Sequence, residues 1–401
     1  MKVCFVTAYW PPEAIGGTEQ VTVALARELR ALGVEVVAIS GSDVPGAPDV
    51  TRDVQDGVVV HRLAKRAEET AATVFVRPRV LTLVRELLEQ HRPDVLHVHG
   101  LASLGAGITV IGKQLGARVV MTFHDLWVTC PRFFRVPAAG VQCPTGTDRT
   151  PCVPCINEAL GVSPDAIEIG LAERDRLLRA EVALADLVTT PSVFAARLVR
   201  ESLPYHEPVA VVPHGLLRSI DADALAARWR PGEPLRLGTF GGLVRVKGVR
   251  ELVAAVAGLA CELHLSGPFH EPGFEDEIRA LAAANGTRLV MRGPFAPGER
   301  HPARDLHLAV FPTKCQETYG LVIDEALAHG VPAVVSDQGA FAERRGHGGV
   351  VVTPIAQLAK VLRELVGSPD RITALRAAIP STLPTIATSA ARHLELYSRL
   401  K

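Results

Sequence analysis

The chain has 401 residues, 48% of them hydrophobic and only 5% aromatic, enough apolar material for substantial cores divided between two domains. Lysine plus arginine and aspartate plus glutamate stand at 43 each, so no basic field recommends a nucleic-acid partner. Seven cysteines, an odd number in so long a chain, argue against a disulfide framework.

The opening run Met1 to Ala8 breaks at Trp10-Pro11-Pro12, too short for a signal peptide or a membrane span, and a cytoplasmic location is the expectation. Thereafter strand and helix alternate, the pattern of a parallel sheet covered on both faces. Val3 to Thr7 reads as a buried strand, Thr18 to Leu32 as an amphipathic helix, Val34 to Ser40 and Val58 to Arg62 as strands, and Val80 to Gln90 as a helix. Asp94 to Gly100 and Arg118 to His124 are strands ending in polar residues, and ligands of such sheets bind beyond strand C-termini, which singles out His97, His99, His124 and Asp125. His97 and His99 are expected on opposite sides of their strand, with His99 the nearer to a cleft. Asp186 to Pro191 and Val209 to Gly215 close this half, which is bounded at residues 1–208.

A second series follows the polar stretch 228–234, with strands at Leu235 to Thr239, Glu262 to Ser266, Arg288 to Arg292, Leu308 to Phe311, Ala333 to Ser336 and Gly349 to Val352. Two such series imply an α/β chain of two Rossmann-like domains facing across a cleft, the second over 209–383. A last helix in 384–401 lies beyond Pro380 and Pro384. Periodicity alone does not say which half it covers; the first is the expectation.

Within Phe311 to Gly330, the apolar spacing of Leu321, Ile323, Ala326 and Leu327, stopped by Gly330-Val331-Pro332, predicts a helix of roughly three turns starting near Tyr319. Glu317 then lies just before the helix and Glu325 inside it. Two carboxylates so spaced can grip two ends of a ligand whose diphosphate rests on the helix N-terminus. An acidic loop residue beside a solvated helical glutamate is the alternative.

Taken together, Pro11 to Gly17, Asp94 to Gly100, Thr122 to Asp125, Pro213-His214-Gly215, Phe240 to Gly248 and the Glu317/Glu325 segment through Gly339 resemble glycosyltransferase family 4, retaining enzymes of GT-B fold. The resemblance implies that Glu317 binds donor-sugar hydroxyls and Glu325 the ribose. It implies that Thr318, Tyr319, Gly320 and Leu321 offer backbone N–H groups, that Lys247 neutralises the departing diphosphate, and that His124 lies near the transferred sugar. Gly16, Gly17, Gly267 and Phe295 join the donor set on the same basis, with His99 and Asp125 on the acceptor side. The implied donor is a UDP- or GDP-sugar, the acceptor a hydroxyl of a glycan, a lipid-linked glycan or a natural product, and no catalytic metal is required. One departure stands out: the family's glycine–arginine pair before the lysine is Gly241-Gly242 here, leaving Arg245 as a substitute cation or as a solvated loop residue. No second carboxylate is placed as a nucleophile, so front-face transfer with retention is expected. A sugar-nucleotide epimerase or hydrolase, and a non-catalytic GT-B interaction protein, remain as alternatives.

Cys130, Cys143, Cys152 and Cys155 fall in an irregular segment, 130–155, and Cys152-Val153-Pro154-Cys155 has the spacing of a zinc ligand pair. Structural zinc ordering an acceptor-side loop is the expectation, ahead of an iron–sulfur cluster or free hydrophobic thiols. The segment Lys65 to Arg92 carries Arg66, Arg77, Arg79, Arg85 and Arg92 beside Val74-Phe75-Val76, which suggests peripheral contact with an anionic membrane or, with its interspersed glutamates, an ordinary amphipathic helix.

Overall fold

The computed structural model describes residues 1–13, 16–69, 75–137, 143–203, 205, 208–218, 225–226, 229–296 and 298–400. Ala14 and Ile15 of the first glycine-rich turn, Val74 of the basic segment and Arg228 of the polar connection lie outside the described residues. The chain divides into two compact units, Met1–Leu217 with Pro384–Lys401, and Arg218–Leu383.

The first unit runs β1 (Lys2–Thr7), α1 (Gly17–Ala31), β2 (Glu35–Ser42), β3 (Val50–Gln55), β4 (Val58–Ala64), α2 (Pro78–His91), β5 (Val95–Val98), α3 (Ile108–Gln114) and β6 (Arg118–Thr122). It continues through α4 (Cys152–Leu160), α5 (Pro164–Leu184), β7 (Leu187–Thr190), α6 (Val193–Ser202) and β8 (Val209–Val211). Its sheet has the order β3-β4-β2-β1-β5-β6-β7-β8, parallel throughout except for the antiparallel edge strand β3. β1 and β5 are buried along nearly their whole length, as expected of strands covered on both faces.

The second unit runs β9 (Leu235–Phe240), α7 (Val249–Ala255), β10 (Cys261–Ser266), α8 (Phe274–Ala284), β11 (Arg288–Gly293), β12 (Leu308–Phe311), α9 (Leu321–Ala328), β13 (Ala333–Ser336), β14 (Val350–Thr353), α10 (Leu358–Val366) and α11 (Pro369–Ala377). The strand order is β11-β10-β9-β12-β13-β14, all parallel. In each sheet the winding reverses once, between β1 and β5 in the first and between β9 and β12 in the second, and the loops leaving those strands diverge to leave a crevice.

The final helix, α12 (Ile386–Arg399), packs against α1 in the first unit. The switch of units falls after Leu217 rather than after residue 208, because β8 adds to the first sheet through pairs such as Val188 with Val209. Among the described residues no helix is long and apolar enough to cross a membrane.

Candidate active site

The loops at the second reversal carry the Lys247 and Glu317 of the sequence reading. Lys247 follows β9 in a short turn, and Gly248 after it adopts φ 75°, where a Cβ would stand 1.9 Å from the Pro312 carbonyl oxygen. Glu317 follows β12 and is fixed at its backbone by a bridge to Gly339, with Ala340 N–H donating to its carbonyl at 2.7 Å. These two anchors bring Lys247 Nζ to 2.5 Å from Glu317 Oε1. Burial works against the charged ammonium, but Glu317 and then Cys315 hold Lys247 above the ordinary lysine range. Burial pushes the Cys315 thiol up to about 12, leaving it a neutral donor at 3.4 Å to Glu317.

Helix α9 begins at Gly320, whose φ of 92° suits glycine and whose missing Cβ leaves room for Phe341 Cε1, 2.3 Å from where it would stand. The helix has eight residues, about two turns rather than three. Its start is delayed because Thr318 and Tyr319 belong to the loop, and no side chain caps its N-terminus. Tyr319 is buried beneath the Arg344 guanidinium, which is 5.0 Å from the ring and pairs with buried Asp324 at 2.8 Å. Glu325 is part-exposed, with His301 Nε2 3.8 Å from its Oε2. The His301 ring stacks on His329 and meets Phe295 edge-on, so the neighbourhood of Glu325 is aromatic. His301 and His329 are additions that spacing in the sequence did not reveal.

Two other residues of the expected donor set, and the glycine at the family's arginine position, have their own surroundings. Gly267, at φ 137°, presses against Gly241, whose carbonyl oxygen would be 1.8 Å from a Cβ, so its role in the fold is to let two loops touch. Arg245 is committed to Glu271 at 3.1 Å and Glu277 at 2.5 Å and lies over Phe274, so it is not a spare cation for a diphosphate. At Gly242 a Cβ would lie 3.5 Å from the His270 ring, so an arginine there would have to pass that histidine.

In the first unit the loops at the reversal enclose a cavity of about 320 Å³. The expected His99, His124 and Asp125 line it, joined by Glu19, Tyr9 and Lys65, which the sequence reading did not nominate. Gly16 and Gly17 open α1 just before Glu19, whose Oε2 accepts the Gly16 N–H at 3.0 Å. Behind the cavity, histidines form a buried chain: His99 Nδ1 lies 2.8 Å from His124 Nε2, and His124 Nδ1 lies 3.3 Å from His214 Nε2. His97 bridges Tyr397 of α12 at 2.6 Å and Thr122 at 2.7 Å. Burial pushes His124 down to about 3 and His97, His99 and His214 well below the usual range, so these rings are neutral. The expectation that His97 and His99 face opposite ways is corrected: residues two apart on a strand share a face, and the ring centroids are 3.9 Å apart.

Cys130, Cys143, Cys152 and Cys155 share the wall of one small cavity of about 20 Å³ with Arg132 and Arg135. Among the described residues, however, no group of three or more His, Cys, Asp or Glu is arranged to hold a metal ion. Arg132 Nη1 takes up one thiol, lying 2.9 Å from Cys155 Sγ, and burial pushes the Cys152 thiol up to about 11. In the basic segment, Arg77 is buried on the Glu69 carbonyl, while Arg66 and Arg79 pair with Asp49 and Glu69 and Arg85 donates to Gln114.

Comparison with known proteins places the chain in a family. Residues 15–216 match Glycosyltransferase Family 4, and residues 234–368 match Glycosyl transferases group 1. D-inositol 3-phosphate glycosyltransferase 1 of Catenulispora acidiphila is 29% identical, covering 90% of this chain and 85% of its own. A GDP-mannose-dependent alpha-mannosyltransferase of Mycobacterium tuberculosis is 25% identical, covering 84% and 80%. Among solved structures, a sucrose-phosphate synthase from Thermosynechococcus elongatus superposes with TM-score 0.71 at 17% identity, covering 100% of this chain and 98% of its own. Anabaena HepE in complex with UDP-glucose superposes with TM-score 0.67 at 16% identity, covering both chains fully. The fold is therefore GT-B, and with both halves matched in order the chain belongs to glycosyltransferase family 4.

Proposed function

We propose that this glycosyltransferase takes a hexose from a UDP- or GDP-sugar and transfers it, with retention, to a hydroxyl acceptor. The observation that carries the reading is the Lys247–Glu317 contact formed by the loops at the second reversal, where the uncapped N-terminus of α9 also emerges. Breaking an anomeric C–O bond leaves negative charge on the diphosphate and positive charge on the sugar ring. Lys247 and the N–H groups opening α9 stabilise the first. Glu317 accepts hydrogen bonds from sugar hydroxyls, Glu325 from the ribose, and Phe295 with His301 flanks the base. The acceptor binds in the cavity lined by His99, His124 and Asp125. Its proton passes to the leaving phosphate, so no protein base or catalytic metal is needed.

A thermal-shift panel of UDP, GDP and their sugars tests the donor half. A ligand at about 100 times its Kd contributes about 2.7 kcal/mol and must raise the melting temperature. A flat response across the panel would remove the reading, and an inverted product anomer by NMR would remove retention. Relatives whose names specify GDP-mannose and solved neighbours bound to UDP-glucose support the nucleotide-sugar class without choosing between nucleotides.

We also propose structural zinc on the four clustered cysteines. The donor set fits in kind, four thiols around one cavity, although ligation requires Arg132 to release Cys155 and the sulfurs to draw in to about 2.3 Å from the ion. Elemental analysis of the reduced, purified chain is expected to find one zinc per chain, and a metal-free chain of normal stability would end the proposal.

A further inference from the structure

Phe133 is held where an aromatic side chain is unfavourable on two counts. It is 39% exposed, and its φ of 67° is left-handed backbone that a bulky residue rarely adopts. Two bonds close the turn around it: Phe133 N–H donates to the Cys130 carbonyl and Phe134 N–H to the Arg132 carbonyl, each at 2.9 Å. The second spans only three residues with a positive φ at its centre, the strained form of the γ-turn. Arg135, also left-handed at φ 48°, fixes the far side of the turn, its buried side chain donating to the Pro144 carbonyl at 2.6 Å. Strain of this kind persists only where the surroundings over-determine it, and it gathers at sites that hold a ligand.

The position of the exposed ring supplies the ligand. Phe133 lines the cavity of the first unit, together with Trp127 and Tyr9. Trp127 is half-buried and fixed: the Arg174 guanidinium lies 4.6 Å from its ring, and its backbone N–H donates to Asp125 Oδ1 at 2.8 Å. Three aromatic side chains thus share one cavity with the polar groups of Lys65 and Asp125. Such a lining suits a ring that is apolar on its faces and polar around its edge. A pyranose is that ring, with C–H groups on its faces and hydroxyls along its rim. A flat phenolic scaffold offers the aromatic contact but only one or two hydroxyls. The volume, about 320 Å³, is also at the small end of the range for small-molecule pockets, about 300–1,000 Å³, which favours a single ring over an extended polycycle.

We propose, resting on the glycosyltransferase reading above, that the acceptor presents a pyranose ring to this cavity and that Phe133 selects it, packing its aromatic face against one C–H face of the sugar.

The test is saturation-transfer NMR titration of the full chain with four probes: the methyl glycosides of glucose, galactose and mannose, and phenol. At least one glycoside is expected to bind more tightly than phenol, with transfer strongest at the C–H groups of one face. Phe133→Ala is expected to weaken that glycoside about tenfold, and Phe133→Tyr to retain it. Phe133→Gly separates binding from folding. Glycine adopts a φ of 67° without strain, so this variant is expected to lose the glycoside while its melting temperature holds within about 2 °C. No glycoside binding, tighter binding of phenol than of every glycoside, glycoside binding unaltered in Phe133→Ala or Phe133→Gly, or a Phe133→Gly chain that melts several degrees lower overturns the proposal. UDP binding measured on the same samples keeps the two readings apart: its loss with glycoside binding intact strikes the donor assignment alone, and the reverse strikes this proposal alone.

Discussion

Acid is the perturbation to which this fold is most exposed, because its first unit buries five neutral histidines in one region. Burial holds His124 at about 3 and His393 at about 4, and keeps His97, His99 and His214 well below the ordinary value. In the unfolded chain each ring titrates near 6.5, so below that pH the unfolded state binds more protons and stability falls. The contribution is intact above 6.5 and is lost as pH drops toward the folded-state values. At pH 5.5 each histidine costs about 1.4 kcal/mol, and five cost about 7 kcal/mol, comparable to the whole stability of a typical domain. Glu19, Asp125 and Glu181, whose carboxyls burial raises, push the other way at lower pH as they take up protons in the folded state. Urea unfolding at pH 7.5, 6.5, 6.0 and 5.5, with histidine ring signals followed by NMR, checks the prediction. A first unit equally stable at pH 7.5 and 5.5, or rings that titrate near 6.5 in the folded chain, would refute it.

Three further outcomes follow from the second unit. Glu325→Ala should weaken UDP and a UDP-sugar alike, by about 10- to 100-fold, whereas Glu317→Gln should spare the bare nucleotide; calorimetry showing the reverse pattern would exchange or void their roles. Gly320→Ala should cost about 1–3 kcal/mol, since it places a Cβ at positive φ and against Phe341, and an unchanged urea midpoint would contradict that. Arg344→Leu leaves Asp324, 1% exposed at its side chain, buried without its ion pair and should destabilise by about 3–5 kcal/mol, most of which the double substitution Arg344→Leu with Asp324→Leu should restore.

The β/α alternation was readable because parallel strands buried on both faces are continuous apolar runs, and the two reversals follow from strand order. Less was legible where polarity interrupts the pattern. Helix α5 was missed because its buried face carries Arg174, Asp175 and Glu181, which break the apolar period. Edge strand β3 reads Val-Thr-Arg-Asp-Val-Gln, half exposed, and resembles a loop. Glu317 and Lys247 could be nominated from their segments, but their contact joins residues 70 apart. Glu19 looked like an ordinary first-turn acid, and only the fold sets it in a cavity with Asp125. The histidine cluster was beyond reach, since Tyr397 meets His97 across 300 positions.

The route of the chain back into the first unit has its own consequence. Leu216 N–H donates to the Pro384 carbonyl and Ile386 N–H to the Leu216 carbonyl, both at 2.8 Å, so the outgoing and returning segments are tied side by side. The second unit is thereby an insertion with neighbouring stems, and a short linker from Leu217 to Pro384 could close the host without displacing α12. A sequence built this way can exchange its second unit whole, while Tyr397 keeps its place on His97.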